Sequence, residues 1–249
     1  MTARQRADRL LVERGLLDSR ARAQAAIAAG LVTADGVPVR KASDAISTAA
    51  AIEAAPEHPY VSRGGVKLAA ALDEFALDVT GRVCLDVGAS TGGFTDCLLQ
   101  HGARRVYAVD VSSDQLDWKL RQDARVAPVE KNARYLRPED LADDSGNTAA
   151  EFVTIDVSFI SVVTILPAVV AAAPQAEFLI LVKPQFELPR ADVGAGGIVR
   201  DAALHQRAIE RVRAAAVAAG LEVVGVCASR LPGAEGNQEL FIYARRPTS

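Results

Sequence analysis

From residue 83 onward, short apolar runs of strand-forming residues alternate with runs of helical periodicity, and this alternation narrows the available folds more than any other feature. Residues 83–87, 105–109, 152–157 and 178–182 read as strands, while 94–100, 114–121 and 161–173 read as the helices between them. Strands separated by helical crossovers pair in parallel, so the pattern predicts an α/β fold with a mostly parallel sheet. A long helix over 201–219 stops at Gly220, and two last strands, 222–228 and 239–244, are close enough in sequence to form an antiparallel pair.

The first segment follows different rules. Residues 7–14 are helical and stop at Gly15; Ser19 caps a second helix that runs to Ala29, with Ala23, Ala26 and Ile27 on one face and Gly30 in the left-handed position after its end. Residues 31–33 and 37–39 flank Ala34-Asp35-Gly36, and an Asp-Gly pair tolerates the positive φ that a tight hairpin needs. The stretch 43–59 is alanine-rich and ends in Pro56 and Pro59, which places a domain boundary at Tyr60 and gives two domains, 1–59 and 60–249.

The net charge of −3 argues against a nucleic-acid binder, but its distribution argues for one. Arg4, Arg6, Arg9, Arg14, Arg20, Arg22, Arg40 and Lys41 crowd the first segment, and Arg63 and Lys67 follow. The N-terminus has no uninterrupted apolar stretch, so a secretory signal is not expected. The most apolar region, 159–174, contains Pro167 and falls short of the roughly 18 residues of a membrane span. Cys84, Cys97 and Cys227 lack metal-ligand spacing and lie among apolar neighbours, as buried thiols of a reducing compartment do. A cytoplasmic protein with no metal and no membrane partner is expected.

Leu85-Asp86-Val87-Gly88-Ala89-Ser90-Thr91-Gly92-Gly93-Phe94 runs from a buried strand into a helix, where open α/β sheets bind ligands. Asp110 ends the next strand, at the spacing of an acid that binds ribose hydroxyls. The glycines alone leave alternatives. Gly88-x-Ser90-x-Gly92 matches a hydrolase nucleophile elbow, but His101 and His205 are badly placed for a triad; Gly88-x-Ser90-x-x-Gly93 lacks the middle glycine of a dinucleotide site. A methyl donor with an adenosine and a carboxylate but no pyrophosphate suits a shorter loop flanked by acids.

Four charges stand out. Asp156 and Lys183 close successive apolar strands, where an unpaired ion is costly, so they are expected to pair. Lys67 enters the helix before the first strand and Glu239 begins the last one; either alone is more often a solvated surface residue.

Five ordered motifs give a resemblance. Ser62-Arg63-Gly64-Gly65-Val66-Lys67-Leu68, the glycine loop from Asp86 to Thr95, Asp156-Val157-Ser158-Phe159-Ile160-Ser161, Val182-Lys183-Pro184-Gln185-Phe186-Glu187 and Gly236-Asn237-Gln238-Glu239 resemble those of the hemolysin A (TlyA) family of ribosomal RNA 2′-O-methyltransferases, whose catalytic domain is similar to FtsJ. Arg9-Leu10-Leu11-Val12, Gly15, Ser19-Arg20, Gly30 and Asp35-Gly36 resemble the RNA-binding fold of ribosomal protein S4. The resemblance implies a small α+β RNA-binding domain before a Rossmann-like class I methyltransferase domain, with a seven-stranded sheet whose last strands are antiparallel. It also implies S-adenosylmethionine as cofactor and a ribose 2′-hydroxyl of ribosomal RNA, a cytidine's, as substrate.

The family's Lys-Asp-Lys-Glu tetrad carries onto Lys67, Asp156, Lys183 and Glu239. Cofactor contacts carry onto Asp86, Gly88, Ser90, Gly92, Phe94 and Asp110, and RNA contacts are expected from Arg4, Arg6, Arg20, Arg22 and Arg63. Lys183 is expected to accept the hydroxyl proton or stabilise the alkoxide, with Asp156 orienting it. The rival readings are a membrane-active hemolysin and a non-catalytic ribosome-assembly factor.

Overall fold

The computed structural model describes residues 3–141, 150–233 and 236–247. The chain divides into two compact units, Met1–Pro59 and Tyr60–Ser249.

In the first unit, β1 (Arg4–Arg6) leads into α1 (Ala7–Glu13), α2 (Arg20–Ala28), β2 (Val32–Ala34), β3 (Val37–Pro38), β4 (Ala45–Ser47) and β5 (Ile52–Ala54). The Ser19 hydroxyl accepts from Arg22 N at 3.3 Å and starts α2. Asp35 and Gly36 take φ of 51° and 74°, turning β2 back on β3. Leu10, Leu11, Ala23, Ala26, Ile27 and Val32 form the core. One region differs from expectation. The 43–59 stretch, read as a boundary segment, supplies β4, which pairs with β1, and β5, which pairs with β2. These strands are three residues long, too short to show a period of two, and form because a distant partner satisfies their backbone.

The second unit contains α3 (Arg63–Glu74), β6 (Val83–Val87), α4 (Gly93–Gln100), β7 (Arg105–Asp110), α5 (Trp118–Gln122), β8 (Val126–Glu130), β9 (Phe152–Ile155), α6 (Val162–Ala172), β10 (Glu177–Val182), α7 (Pro184–Glu187), α8 (Ala202–Ala218), β11 (Glu222–Ala228) and β12 (Leu240–Arg245). The seven-stranded sheet has the order β11-β12-β10-β9-β6-β7-β8. Strands β10, β9, β6, β7 and β8 are mutually parallel, while β12 runs antiparallel to both β10 and β11. Separate hydrophobic clusters cover the two faces, one around α6 and α8 and the other around α3 and α4. Burial on both faces is why β6, β9 and β10 read as continuous apolar runs.

Three local expectations need correction. The helix expected over 114–121 begins only at Trp118, because the Asp117 carboxylate accepts from Lys119 N at 2.9 Å and caps it there. Strand β8 was not expected; it carries Pro128 and sits at the sheet edge, where a residue without an N–H is tolerated. Glu239 precedes the last strand instead of opening it. The turn expected over 232–237 includes two positions, 234 and 235, outside the described residues. Cys84 and Cys97 are buried free thiols, and burial pushes both up to about 12. Among the described residues no helix is long and apolar enough to cross a membrane, and no cluster of His, Cys, Asp or Glu could hold a metal ion.

Candidate active site

The carboxyl ends of β6, β7, β9 and β10 lie along one sheet edge, so parallel pairing brings the turn after β6, Asp110, Asp156 and Lys183 to the same side. Glu239 joins them for the opposite reason. Because β12 is antiparallel to β10, with Leu240 opposite Val182, the residue before β12 lands at the edge where β10 ends. Asn237 fixes that approach: it is buried, accepts from Val199 N at 2.8 Å and donates to Gly197 O at 2.9 Å.

Lys67 Nζ donates to Glu239 Oε2 at 2.6 Å, and the side chains are only 10% and 3% exposed. Lys67 lies four residues before Ala71 on the buried face of α3, which turns its stem inward. Lys183 Nζ lies 2.5 Å from Asp156 Oδ1 in an ion pair without an aligned hydrogen bond, and donates to Ser158 Oγ at 2.9 Å. Lys67, Asp156, Ser158 and Lys183 line one cavity of about 220 Å³ together with Arg63 and Phe94. Glu239 reaches it through Lys67.

A second cavity, of about 530 Å³, shares Gly88, Ser90, Asp156 and Ser158 with the first. It runs past Asp110 and Val111 to Asn132 and Phe159. The Asp110 carboxylate accepts from Ser90 N at 2.8 Å and from Val111 N at 2.7 Å, which fixes both oxygens and leaves lone pairs for a hydroxyl ligand. Gly88 has φ of 87°, and a Cβ there would lie 2.3 Å from the Asp156 carbonyl oxygen, so the turn closes against β9 only with glycine. The volume and the mix of apolar walls with a few convergent polar groups suit a nucleoside-bearing ligand.

Of the other expected cofactor residues, Asp86 and Gly92 hold the loop from behind, while Phe94 reaches the wall of the smaller cavity. Asp86 is fully buried, accepting from Thr95 Oγ1 at 2.7 Å and Thr154 Oγ1 at 3.0 Å, and lines neither cavity. Burial lifts its carboxyl to about 7, against the pull of the two hydroxyls, and the nearby Asp156 adds to the rise. Gly92, with φ of 94°, packs against Leu116 and Leu120, and Phe94 is buried against Phe241 with ring centroids 6.2 Å apart. Neither histidine considered for a hydrolase triad bonds Ser90: His205 contacts Val199 O and His101 contacts Cys97 O.

The arginines of the first unit are held in place. Asp8, fully buried, accepts from Arg6 at 3.0 Å, from Arg20 at 2.8 Å and from Gln24 at 3.1 Å, which drives its carboxyl well below the usual range. The Arg6 and Arg20 side chains remain 45% and 51% exposed. Arg4 donates to Ala45 O at 3.1 Å, and Arg22 to His58 O at 3.3 Å and Asp18 at 3.4 Å. Arg63, in the second unit, donates weakly to Pro232 O at 3.5 Å. No role was expected for Asp8, Thr154, Thr95 or Ser158; the last two stand inside the quoted motifs, but a single Ser or Thr there carries no signal of which partner it meets.

The profile of the FtsJ-like methyltransferases matches residues 60–246, and that of the S4 domain matches residues 5–51. The 16S/23S rRNA (cytidine-2′-O)-methyltransferase TlyA of Mycobacterium tuberculosis is 46% identical over 252 aligned residues, covering 100% of this chain and 92% of that protein. The chain belongs to the TlyA family. A TlyA relative named Hemolysin A, from Brachyspira hyodysenteriae, is 41% identical over 96% of this chain and 98% of its own length. The solved structure of a hemolysin-named protein from Streptococcus thermophilus matches with a TM-score of 0.75 at 40% identity, covering 100% of this chain and 90% of that one. Aeropyrum pernix fibrillarin, solved with S-adenosyl-L-methionine bound, shares the fold at 21% identity and a TM-score of 0.50, over 72% of this chain and 74% of that one.

Proposed function

We propose that this protein transfers a methyl group from S-adenosylmethionine to the 2′-hydroxyl of a cytidine ribose in ribosomal RNA, working in the cytoplasm, where ribosomes are made. The observation that carries the reading is the placement of two lysine–carboxylate pairs, Lys67–Glu239 and Lys183–Asp156, at a cavity that shares its wall with the nucleoside-sized one. Base methylation needs no such quartet, and a non-catalytic assembly factor would gain nothing from burying Lys67 and Glu239.

The donor, when bound, supplies an electrophilic methyl on a sulfonium. Gly88, Ser90 and Asp110 would hold its nucleoside portion, and Asp86 with its two threonines keeps that loop in shape. Attack by the ribose hydroxyl would form the oxygen–methyl bond as the sulfonium carbon–sulfur bond breaks, with the hydroxyl proton released to water. An ammonium has three donors; Ser158 engages one of those of Lys183 and Asp156 holds the charge as an ion pair, which leaves a donor for the oxygen as negative charge develops. Lys67, neutralised by Glu239, adds a second fixed donor at the same cavity without a net charge that would attract phosphate instead of hydroxyl. In the first unit, Arg6 and Arg20 hold phosphates and set the register of folded RNA, with Arg4 and Arg22 beside them in sequence; in the second unit, Arg63 is a further RNA contact of its own.

The test is Lys183→Ala assayed with radiolabelled donor on ribosomal RNA and ribosomal subunits, with the modified nucleotide located by mass spectrometry. Loss of transfer with donor affinity retained is the expected result. A modified base, or near-normal turnover by the variant, would overturn the assignment.

A further inference from the structure

Glu187 is buried to 2% exposure at the end of α7, four residues beyond Lys183, and its partners lie on another element. Its Oε1 accepts from Val162 N at 2.8 Å and its Oε2 from Ser161 Oγ at 2.5 Å, both at the start of α6, five and six residues beyond Asp156. Burial raises its carboxyl above the usual range, and Ser161 and Val162 pull it back, so the bridge is made against a desolvation cost. Ser161 caps α6 through its own hydroxyl, which accepts from Val163 N at 3.2 Å. Glu187 takes the Val162 N–H, which the Ser161 cap leaves open, and its second bond, from the Ser161 hydroxyl, adds a link from α7 to the segment before α6.

The contacts around Glu187 close a ring. One side is the segment from Asp156 to Val162, and the other is Lys183 to Glu187. They meet at the Asp156–Lys183 pair, at Ser158 and Lys183 2.9 Å apart, at Phe159 and Phe186 with centroids 5.3 Å apart, and at Glu187. Phe159 is 91% exposed, so the stack excludes little water, and Glu187 is the only buried polar link in the ring. We infer that Glu187 is a positioning residue: it ties the turn after β9 to α7 and thereby holds Lys183 at the distance from Asp156 that the transfer requires. It acts as a hydrogen-bonding tether, and its charge is dispensable. This rests on the proposed role of Lys183.

The tether is tested in the full chain with Glu187→Ala, Glu187→Gln and Ser161→Ala. Two readouts are taken: methyl transfer at saturating donor and RNA, and the rate at which an amine-reactive acetyl ester labels Lys183, followed by peptide mapping. The Lys183 side chain is 12% exposed, so release should speed its labelling. Glu187→Ala is expected to lower the saturating rate by roughly tenfold or more, as misplacement of a reacting group does, and to accelerate labelling. Glu187→Gln, which can still accept from Val162 N and donate to Ser161, should restore both readouts to within about threefold of the parent. Ser161→Ala, which removes one arm, should fall between them and covers the case in which Glu187→Ala does not fold. Parent-like turnover and labelling in Glu187→Ala, or in Ser161→Ala if the first variant is unfolded, would overturn the inference, as would Glu187→Gln behaving like Glu187→Ala. If the parent protein itself transfers no methyl to ribosomal RNA, the functional reading fails while the labelling series still decides the tether.

Discussion

Replacing Gly88 by alanine adds one methyl group at the point where the glycine loop meets the strand that carries Asp156. The new Cβ would stand 2.3 Å from the Asp156 carbonyl oxygen, 2.9 Å from its carbon and 3.1 Å from a Val157 methyl. Restoring ordinary contact requires a separation of about 1 Å more, and two of the three obstructing atoms are backbone. The loop and the end of β9 must therefore part, carrying Asp156 away from Lys183, now 2.5 Å from it. The φ of 87° adds a direct penalty of about 1–2 kcal/mol for any residue with a Cβ. A displacement of about 1 Å in a positioned group costs roughly a hundredfold in rate. Methyl incorporation at saturating donor and RNA should accordingly fall by about two orders of magnitude. Thermal unfolding should show a loss of only about 1–3 kcal/mol, leaving most of the protein folded. A Gly88→Ala protein that turns over within about twofold of the parent would refute the claim that this contact sets the site.

Lys67→Met should leave Glu239 buried without a partner and cost about 3–5 kcal/mol in denaturant unfolding, whereas Lys67→Met combined with Glu239→Leu should recover much of the stability but none of the activity. Asp86 gives a signed pH dependence. Its folded pKa of about 7 lies above the unfolded value, so its contribution is full below the ordinary carboxylate range and is lost as pH rises through 7, a fall of the order of a few kcal/mol. Glu187 is shifted in the same direction and adds to the slope. Asp8, shifted down, acts oppositely, and its contribution disappears only in strong acid. Urea titrations between pH 5 and 8 should thus show stability declining with pH, more weakly in Asp86→Asn; identical slopes would contradict the assignment. Arg20→Gln should weaken RNA binding and lower the salt slope by about one ion, measured by filter binding across a salt series; an unchanged slope would remove Arg20 from the phosphate contacts.

Most of the catalytic-unit fold was legible because its signals are local. Residues 83–87 and 178–182 are apolar throughout as strands buried on both faces must be, and the spacing from the glycine loop to Asp110 is fixed by one strand–helix–strand unit. Strand β8 escaped because Pro128 suits only an edge, and whether a strand lies at an edge is decided by its neighbours. Strands β1, β4 and β5 escaped because their pairing, not their composition, makes them strands.

The chain's own letters determined which residue types stand at the strand tips, and therefore that Asp156 and Lys183 needed partners. They did not determine that Lys67 and Glu239, 172 positions apart, would pair with each other and be the more buried of the two lysine–carboxylate pairs. That followed from β12 inserting antiparallel between β10 and β11, which carries Glu239 back to the edge where the parallel strands end. The same holds for Asp8 beneath its arginines and for Glu187 across the ring. Periodicity reports which way a side chain faces along its own element, whereas the partner that makes a buried charge tolerable comes from another element and exists only once both have packed.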